Sequence, residues 1–419
     1  MPVKYKTPAS FSGFSCLGAQ CEDTCCQNWE VKIDQQHYEL LKNVMSADKD
    51  EQNIFEKRIY LNTRPVVSEH DYAFVRMADT GFCSMLDDEG LCYVHAKYGE
   101  KLLGNVCTMF PRVISRTADS VELSAALSCP EVVRRCIDDT ELLKFNRFKP
   151  TELPGGKNYP VLRELSQQDD DFYSGNFVYV RENFMLTMAN EEQELETRLY
   201  TLVNMANKLS EFYHRGCAKP GQGQIESVMA TYAEPEFVTR LGTFIKSYDA
   251  GSLLNMIVVH SVLSIKLQQA GAEKISVLYE KIIQYYNDET KSIPEILADK
   301  ITSIRNSLDS DAQQYVDKAI TRYSLNCLYR EWFVSMPDPF TYVQMLLLRL
   351  SILRTLIYLE AGTEQDMTLD KLKKKIVYIM YNFARNIDQN LEFLKVVYDA
   401  LSEQTMMNID FSAVFIRID

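Results

Sequence analysis

The chain has 419 residues, of which 46% are hydrophobic and 11% are aromatic, as is typical of a globular protein. This length exceeds what one hydrophobic core usually supports, so we expect two domains, with three as the upper estimate. The formal net charge of −13 gives no chain-wide basic field for phosphate backbones. A role in nucleic-acid binding is therefore disfavoured.

The beginning of the chain lacks the pattern of an export signal. Lys4 and Lys6 are not followed by the continuous apolar stretch of roughly 7–15 residues that such a signal needs. The most apolar later segment, 343–359, is interrupted by Arg349 and Arg354, and its apolar residues recur at the spacing of one helical face. We expect a cytoplasmic protein without a transmembrane segment, in which 343–359 is a buried helix; peripheral membrane contact stays open.

Nine of the eleven cysteines fall in the first 136 residues. In a reducing cytosol, thiols crowded in this way are more typical of zinc sites or iron–sulfur clusters than of disulfides. Cys136 follows a helical apolar pattern and is left out as a core residue. The predicted metal ligands are Cys16, Cys21, Cys25, Cys26, Cys83, Cys92, Cys107 and Cys129.

The spacing of these cysteines leaves their grouping open. A single loop, 16–26, can place three sulfurs around one centre, but the adjacent Cys25 and Cys26 point apart and do not readily share one ion. Cys83 and Cys92 flank an acidic turn, 87–90. The eight thiols suffice for two four-sulfur centres, or for one cluster with spare thiols beside it. His95 is a weaker candidate for a ligand than for an ordinary helix position.

Elements around the cysteines are predicted to be short. Asp34 is placed to cap a helix that continues through Val44, and short strands and turns are expected between residues 59 and 91. The helix-breaking residues Pro-Gly-Gly at 154–156 and the acidic run 169–171 indicate a boundary between a cysteine-rich region and a helical region. We therefore predict a cysteine-rich metal-binding or cluster-binding domain over 1–150 and an α-helical domain over 175–419.

The second region has helical periodicity almost throughout, so the predicted fold class is mainly α. The lone Cys217 and Cys327 are interpreted as small buried hydrophobes. The candidate helices are 181–214, 225–247, 252–270, 273–288, 293–307, 310–334, 338–361, 367–386 and 388–404.

The cysteine segments resemble a known family. FSCLGAQCEDTCCQNWEVKID (14–34), CSMLDDEGLC (83–92), CTMFPR (107–112) and LSCPE (127–131) are similar in order and spacing to the flagellin lysine-N-methylase family of enteric bacteria. The middle segments also resemble a broader group of zinc-binding or iron-binding cysteine-cluster proteins. The family resemblance implies methyl transfer from S-adenosylmethionine to flagellin lysines in the cytoplasm, with an iron–sulfur cluster, expected to be 4Fe-4S, in the cysteine-rich region; zinc is the alternative.

Two common S-adenosylmethionine signatures are missing from the sequence. No strand is followed by a G-x-G-x-x-G turn, and Cys21-x3-Cys25 is followed at once by Cys26 rather than by the spacing of radical enzymes. No catalytic base is assigned, because Tyr378, Tyr381 and Phe383 are better interpreted as core than as a lysine pocket. The alternatives are a noncatalytic, zinc-stabilised protein-binding module or adaptor and, with less support, an electron-transfer protein.

Overall fold

A computed structural model describes residues 3–27, 29–65, 67–153, 161–165, 172–214, 222–249, 252–269, 274–333 and 336–418. The predicted breakers at 154–156, the acidic run 169–171 and Cys217 lie outside these ranges. The chain forms two compact units, one of Met1–Glu131 with Phe145–Glu164 and the other of Val132–Lys144 with Leu165–Asp419. The predicted domain bounds, 1–150 and 175–419, stay a prediction.

The first unit contains eight short strands in its described residues. They are β1 (Lys4–Pro8), β2 (Lys32–Ile33), β3 (Ile59–Leu61), β4 (Ala73–Val75), β5 (Arg112–Arg116), β6 (Ser120–Ala125), β7 (Phe145–Arg147) and β8 (Arg163–Glu164).

A five-stranded sheet has the order β7-β1-β6-β5-β8. Its central strand β6 is buried at every residue and runs parallel to β1, with Tyr5 opposite Val121. β5 pairs with β6 in antiparallel fashion, with Ile114 opposite Leu123. This sheet was not predicted from the sequence, although SVELSA in β6 alternates polar and apolar residues in the way a strand does. Its strands are short and its pairing of β1 with β6 joins residues far apart in the chain, which no local pattern reveals.

A smaller sheet has the order β2-β4-β3, and its residues pack with those of the first two helices. Tyr38, Leu41 and Phe55 from those helices belong to one hydrophobic cluster with Val75 and Cys83. The Asp34 carboxylate accepts the His37 N–H at 3.1 Å and caps the predicted helix.

Seventeen α-helices are present in the described residues, and most lie in the second unit. They are α1 (Gln35–Met45), α2 (Lys49–Arg58), α3 (Tyr93–Tyr98), α4 (Asn105–Met109), α5 (Pro130–Asp138), α6 (Phe172–Ala189), α7 (Leu195–His214), α8 (Gln222–Ala233), α9 (Pro235–Ser247), α10 (Ser252–Gln269), α11 (Lys274–Tyr285), α12 (Ile293–Ser307), α13 (Ser310–Arg330), α14 (Pro339–Ala361), α15 (Leu369–Phe383), α16 (Leu391–Glu403) and α17 (Ile409–Ile416). A π-helical turn, Ala384–Asp388, follows α15. The mainly α fold class is confirmed.

The core of the second unit is built around α14, in which every residue except Glu360 is buried. This helix is long and apolar enough to cross a membrane, but its apolar window is entirely buried inside the protein. The prediction of a buried helix over 343–359 is therefore confirmed. Arg349 and Arg354 on this helix are 4% and 0% exposed, so both guanidinium groups require buried partners.

Candidate metal centre

Four of the eight predicted cysteine ligands converge in the first unit. Cys25 follows the 3-10 turn Gly18–Gln20, Cys83 lies in a bridge with Met77, Cys92 precedes α3, and Cys107 is in α4. The four sulfur groups are close enough to act on one another electrostatically, since Cys25, Cys83 and Cys92 each help to raise the pKa of Cys107. Four separate segments therefore bring their sulfurs to one place.

Backbone hydrogen bonds hold these segments in register. The Cys83 N–H donates to the Cys26 carbonyl at 2.9 Å, which joins the first cysteine loop to the second. Between Cys83 and Cys92, the Asp87 carboxylate accepts the Glu89 and Leu91 N–H groups at 3.0 and 2.8 Å. The side chain of Asp87 thus closes the predicted acidic turn. The turn reverses the direction of the chain, so that Cys92 lies near Cys83.

Burial dominates the electrostatics of this cluster. It raises the pKa of the Cys83, Cys92 and Cys107 thiols, and the neighbouring cysteines add to the effect. The amides of His95 and Val94, in the first turn of α3, act in the opposite direction on Cys92. A metal ion that binds here must therefore displace the protons of these buried thiols.

Aromatic side chains lie close to the cysteine cluster. The Trp29 indole N–H donates to the Cys25 carbonyl at 2.7 Å, and the Trp29 and Phe110 rings are 6.1 Å apart. Phe82 is 38% exposed. Trp29 therefore fixes the backbone of a candidate ligand in addition to covering it.

The other four predicted ligands do not share one environment. The exposed Cys16 accepts the Gly18 N–H at 3.4 Å, and the Cys21 sulfur lies 3.9 Å from the Glu22 carboxylate. Cys26 packs against the same hydrophobic cluster as Cys92 and Cys107, and Cys129 is buried. Their role as ligands stays a prediction. His95 is exposed on α3.

A buried carboxylate near the cluster was missed by the sequence analysis. Glu51 on α2 accepts hydrogen bonds from Tyr93, Lys97 and Tyr98, which all belong to α3. The hydrogen bond from Lys97, followed by those from the tyrosines, lowers the Glu51 pKa to about 2. This network fixes the helix whose N-terminus follows Cys92. In the sequence, this network is indicated locally only by the i, i+4 spacing of Tyr93 and Lys97.

A second polar cluster lies in the helical unit. Among the described residues, Cys327, Glu331 and Asp388 have ligand atoms that all lie within 4.8 Å of one another. Arg349 donates to Glu331 at 2.8 Å and to Asp388 at 3.3 Å, and Tyr323 donates to Asp388. These donors already compensate the carboxylates, and burial keeps the Cys327 thiol protonated by raising its pKa. We interpret the group as an ion network that joins α13, α14 and the π-helical turn.

Two of the three aromatic candidates on α15 are core residues, and the third is exposed. Tyr381 and Phe383 are 2% and 0% exposed, whereas Tyr378 is 38% exposed. The lysine run before them forms local ion pairs, with Lys371 contacting Glu364 at 2.7 Å and Lys375 contacting Glu360 at 2.5 Å.

Comparison with known proteins places the chain in a family. A model of the FliB lysine N-methylase C-terminal domain matches residues 181–415. The flagellar biosynthetic protein FliU of Salmonella muenchen is 29% identical over 166 residues, which cover 39% of this chain and 92% of FliU. Lysine-N-methylases of Salmonella typhimurium and Salmonella choleraesuis are each 30% identical over 137 residues, or 32% of this chain.

The aligned part of this chain spans 33% of the length of each of those two lysine-N-methylases. No solved structure matches the chain. The family match covers more than half of the sequence and falls within the helical unit. The chain belongs to the FliB lysine N-methylase family.

Proposed function

We propose that this protein is a lysine N-methyltransferase that transfers methyl groups from S-adenosylmethionine to lysine side chains of flagellin in the cytoplasm. The observation that carries the proposal is the FliB family match over residues 181–415. The relatives named lysine-N-methylase and flagellar biosynthetic protein support the reaction and the flagellar substrate. The cysteine segments that resemble the family supply independent support from the other unit.

An iron–sulfur cluster is proposed at Cys25, Cys83, Cys92 and Cys107. Four cysteine sulfurs are the usual complement for a 4Fe-4S cluster, and these four are shielded in part by Trp29. In the described part of the chain, no three of their sulfurs lie mutually within 4.8 Å. Zinc, which four cysteines also bind in a tetrahedral site, is the alternative.

Such a cluster, when bound, supplies an anchor for the amino-acid end of S-adenosylmethionine, a source of one electron, or structural support. The residues of the protein have other roles in the reaction, which do not depend on the cluster. The protein must present a lysine amine in its neutral form, and it must hold the amine about 3–3.5 Å from the methyl group with an in-line approach.

The proposal is tested by incubating anaerobically purified protein with flagellin and S-adenosylmethionine, and by counting methylated lysines with mass spectrometry. We expect methyl groups on flagellin lysines with wild-type protein. The variant Cys136→Ala should retain this activity, because that thiol lies outside the cluster and contacts the Arg322 carbonyl instead. Cys107→Ala should lose it.

Iron-loaded protein that binds flagellin but adds no methyl group would contradict the proposal. Zinc in stoichiometric amount together with flagellin binding and no methyl transfer would support the adaptor alternative.

A further inference from the structure

A surface cleft of about 450 Å³ adjoins the cysteine cluster in the first unit. Its volume lies within the roughly 300–1,000 Å³ of small-molecule sites. Trp29, Glu30, Tyr60, Arg76 and Met77 are among the residues that line it. Two of them connect it to the candidate ligands, because Trp29 donates to the Cys25 carbonyl and Met77 bridges to Cys83.

The charges of this cleft favour a ligand with an anionic group. Glu30 is already paired in bidentate fashion with Arg64, one of whose nitrogens lies 3.1 Å from the carboxylate. Arg76 has no carboxylate partner among the described residues, and its guanidinium lies 4.9 Å from the centre of the Tyr60 ring. The ring holds the cation at the cleft, where it is available to a ligand carboxylate.

The remaining lining suits a nucleoside. An aromatic indole such as that of Trp29 provides a stacking surface for a purine base, which is commonly worth about 1–3 kcal/mol. The Glu30 oxygens retain lone pairs after pairing with Arg64, and an acidic side chain is a usual acceptor for ribose hydroxyls. A lysine side chain fits less well, since the Glu30 carboxylate is already paired with Arg64 and does not offset the repulsion of its ammonium by Arg76.

We propose that this cleft binds S-adenosylmethionine, with the adenine on Trp29, the ribose hydroxyls on Glu30 and the carboxylate on Arg76. Tyr60 is a positioning residue, because it contacts Arg76 rather than the ligand. The inference rests on the proposed function and assigns to these residues the binding of its methyl donor. The cleft lies outside residues 181–415, to which the family match is confined.

The test is anaerobic titration calorimetry on the full chain with two probes. S-adenosylhomocysteine carries the amino-acid end, whereas methylthioadenosine has the same nucleoside but lacks the carboxylate. We expect Arg76→Gln to weaken the binding of S-adenosylhomocysteine by roughly ten-fold or more and to leave methylthioadenosine unchanged. Glu30→Gln should weaken both probes, because both contain the ribose.

Arg116→Gln is the matched control, since it removes an exposed guanidinium, paired with Glu164 at 3.2 Å, from the same unit. It should change neither affinity. The inference is wrong if Arg76→Gln leaves S-adenosylhomocysteine binding unchanged or weakens both probes equally. It is also wrong if Arg76→Gln instead tightens the binding of a lysine-containing flagellin peptide, because the cleft would then receive the lysine.

Failure of the proposed binding cleft can be distinguished from failure of the proposed enzyme activity. Methylated flagellin combined with an unaltered affinity in Arg76→Gln would reject the cleft and keep the enzyme. The expected pattern of affinities without any methyl transfer would reject the enzyme and keep the cleft.

Discussion

At the scale of single residues, Glu51 shows how one buried carboxylate orients a helix. Its three donors come from α3, so its charge is stabilised only in the folded protein. Hydrogen bonding lowers its pKa from 4.5 to about 2. A depressed carboxyl pKa contributes stability that is fully present above the unfolded value, and this stability is lost as the pH falls from about 4.5 towards 2.

We therefore expect Glu51→Gln to lower the free energy of unfolding by about 1–2 kcal/mol at pH 7. The effect is smaller than the pKa shift alone implies, because Lys97 is 47% exposed and solvent screens its charge. Urea unfolding at pH 7 and pH 4 should show a smaller difference between wild type and variant at the lower pH. Glu141→Gln, at an exposed pair with Lys144, is the control. An equal difference at both pH values would contradict this interpretation.

The sequence predicted the residue types of the metal centre better than their grouping. It identified eight cysteines and weighed a compact group in the loop 16–26, but the structure brings together Cys25, Cys83, Cys92 and Cys107. Spacing along the chain reports on local loops only. The convergence of four segments depends on hydrogen bonds such as Cys83 to Cys26, which no local pattern contains.

At the scale of elements, Asp34 links a helix cap to the candidate metal centre. Its carboxylate accepts the His37 N–H at the start of α1 and, at 3.0 Å, the Asn105 N–H at the start of α4. Burial opposes the charge, but the hydrogen bonds from His37 and Asn105 prevail and lower the Asp34 pKa to about 2. Because α4 carries Cys107, loss of this carboxylate should loosen a metal ligand as well as a helix.

We expect Asp34→Ala to destabilise the protein by about 1–2 kcal/mol and to speed the loss of iron to a chelator. Asp309→Ala is the matched control, since Asp309 caps α13 in the helical unit by accepting the Ala312 N–H at 2.8 Å. It should lower stability by a similar amount without changing the rate of iron loss. Equal rates of iron loss in the two variants would show that Asp34 acts only as a cap.

Helix existence was predictable, whereas several helix ends were not. The segment predicted as one helix over 181–214 is divided into α6 and α7. The buried Arg198 guanidinium donates to the Met188 carbonyl at 2.7 Å and satisfies the end of α6, a contact that periodicity does not reveal. The segment predicted as one helix over 225–247 is also divided, into α8 and α9. Here the sequence does indicate the break, because Pro235 is the first residue of α9.

At the scale of the whole molecule, the proposed function is supported by a family match in one unit and by candidate binding residues in the other. The family match falls on the helical unit, whereas the candidate metal ligands and the proposed S-adenosylmethionine cleft lie in the first unit. The predicted metal ligands all lie in the first unit, whereas the helical unit has buried ion networks of its own, among them Arg354 with Glu196 at 2.6 Å. Metal binding should therefore stabilise the first unit specifically.

The proposed cluster requires that the four cysteines act as one metal-binding group. Its decisive measurement is the iron and sulfide content of anaerobically purified wild type and of the four variants Cys25→Ala, Cys83→Ala, Cys92→Ala and Cys107→Ala, with Cys136→Ala as control. We predict about four irons per chain in wild type and in the control, and severe loss in each of the four variants. Full iron content in any one of the four would remove that cysteine from the ligand set, and full content in all four would contradict the account.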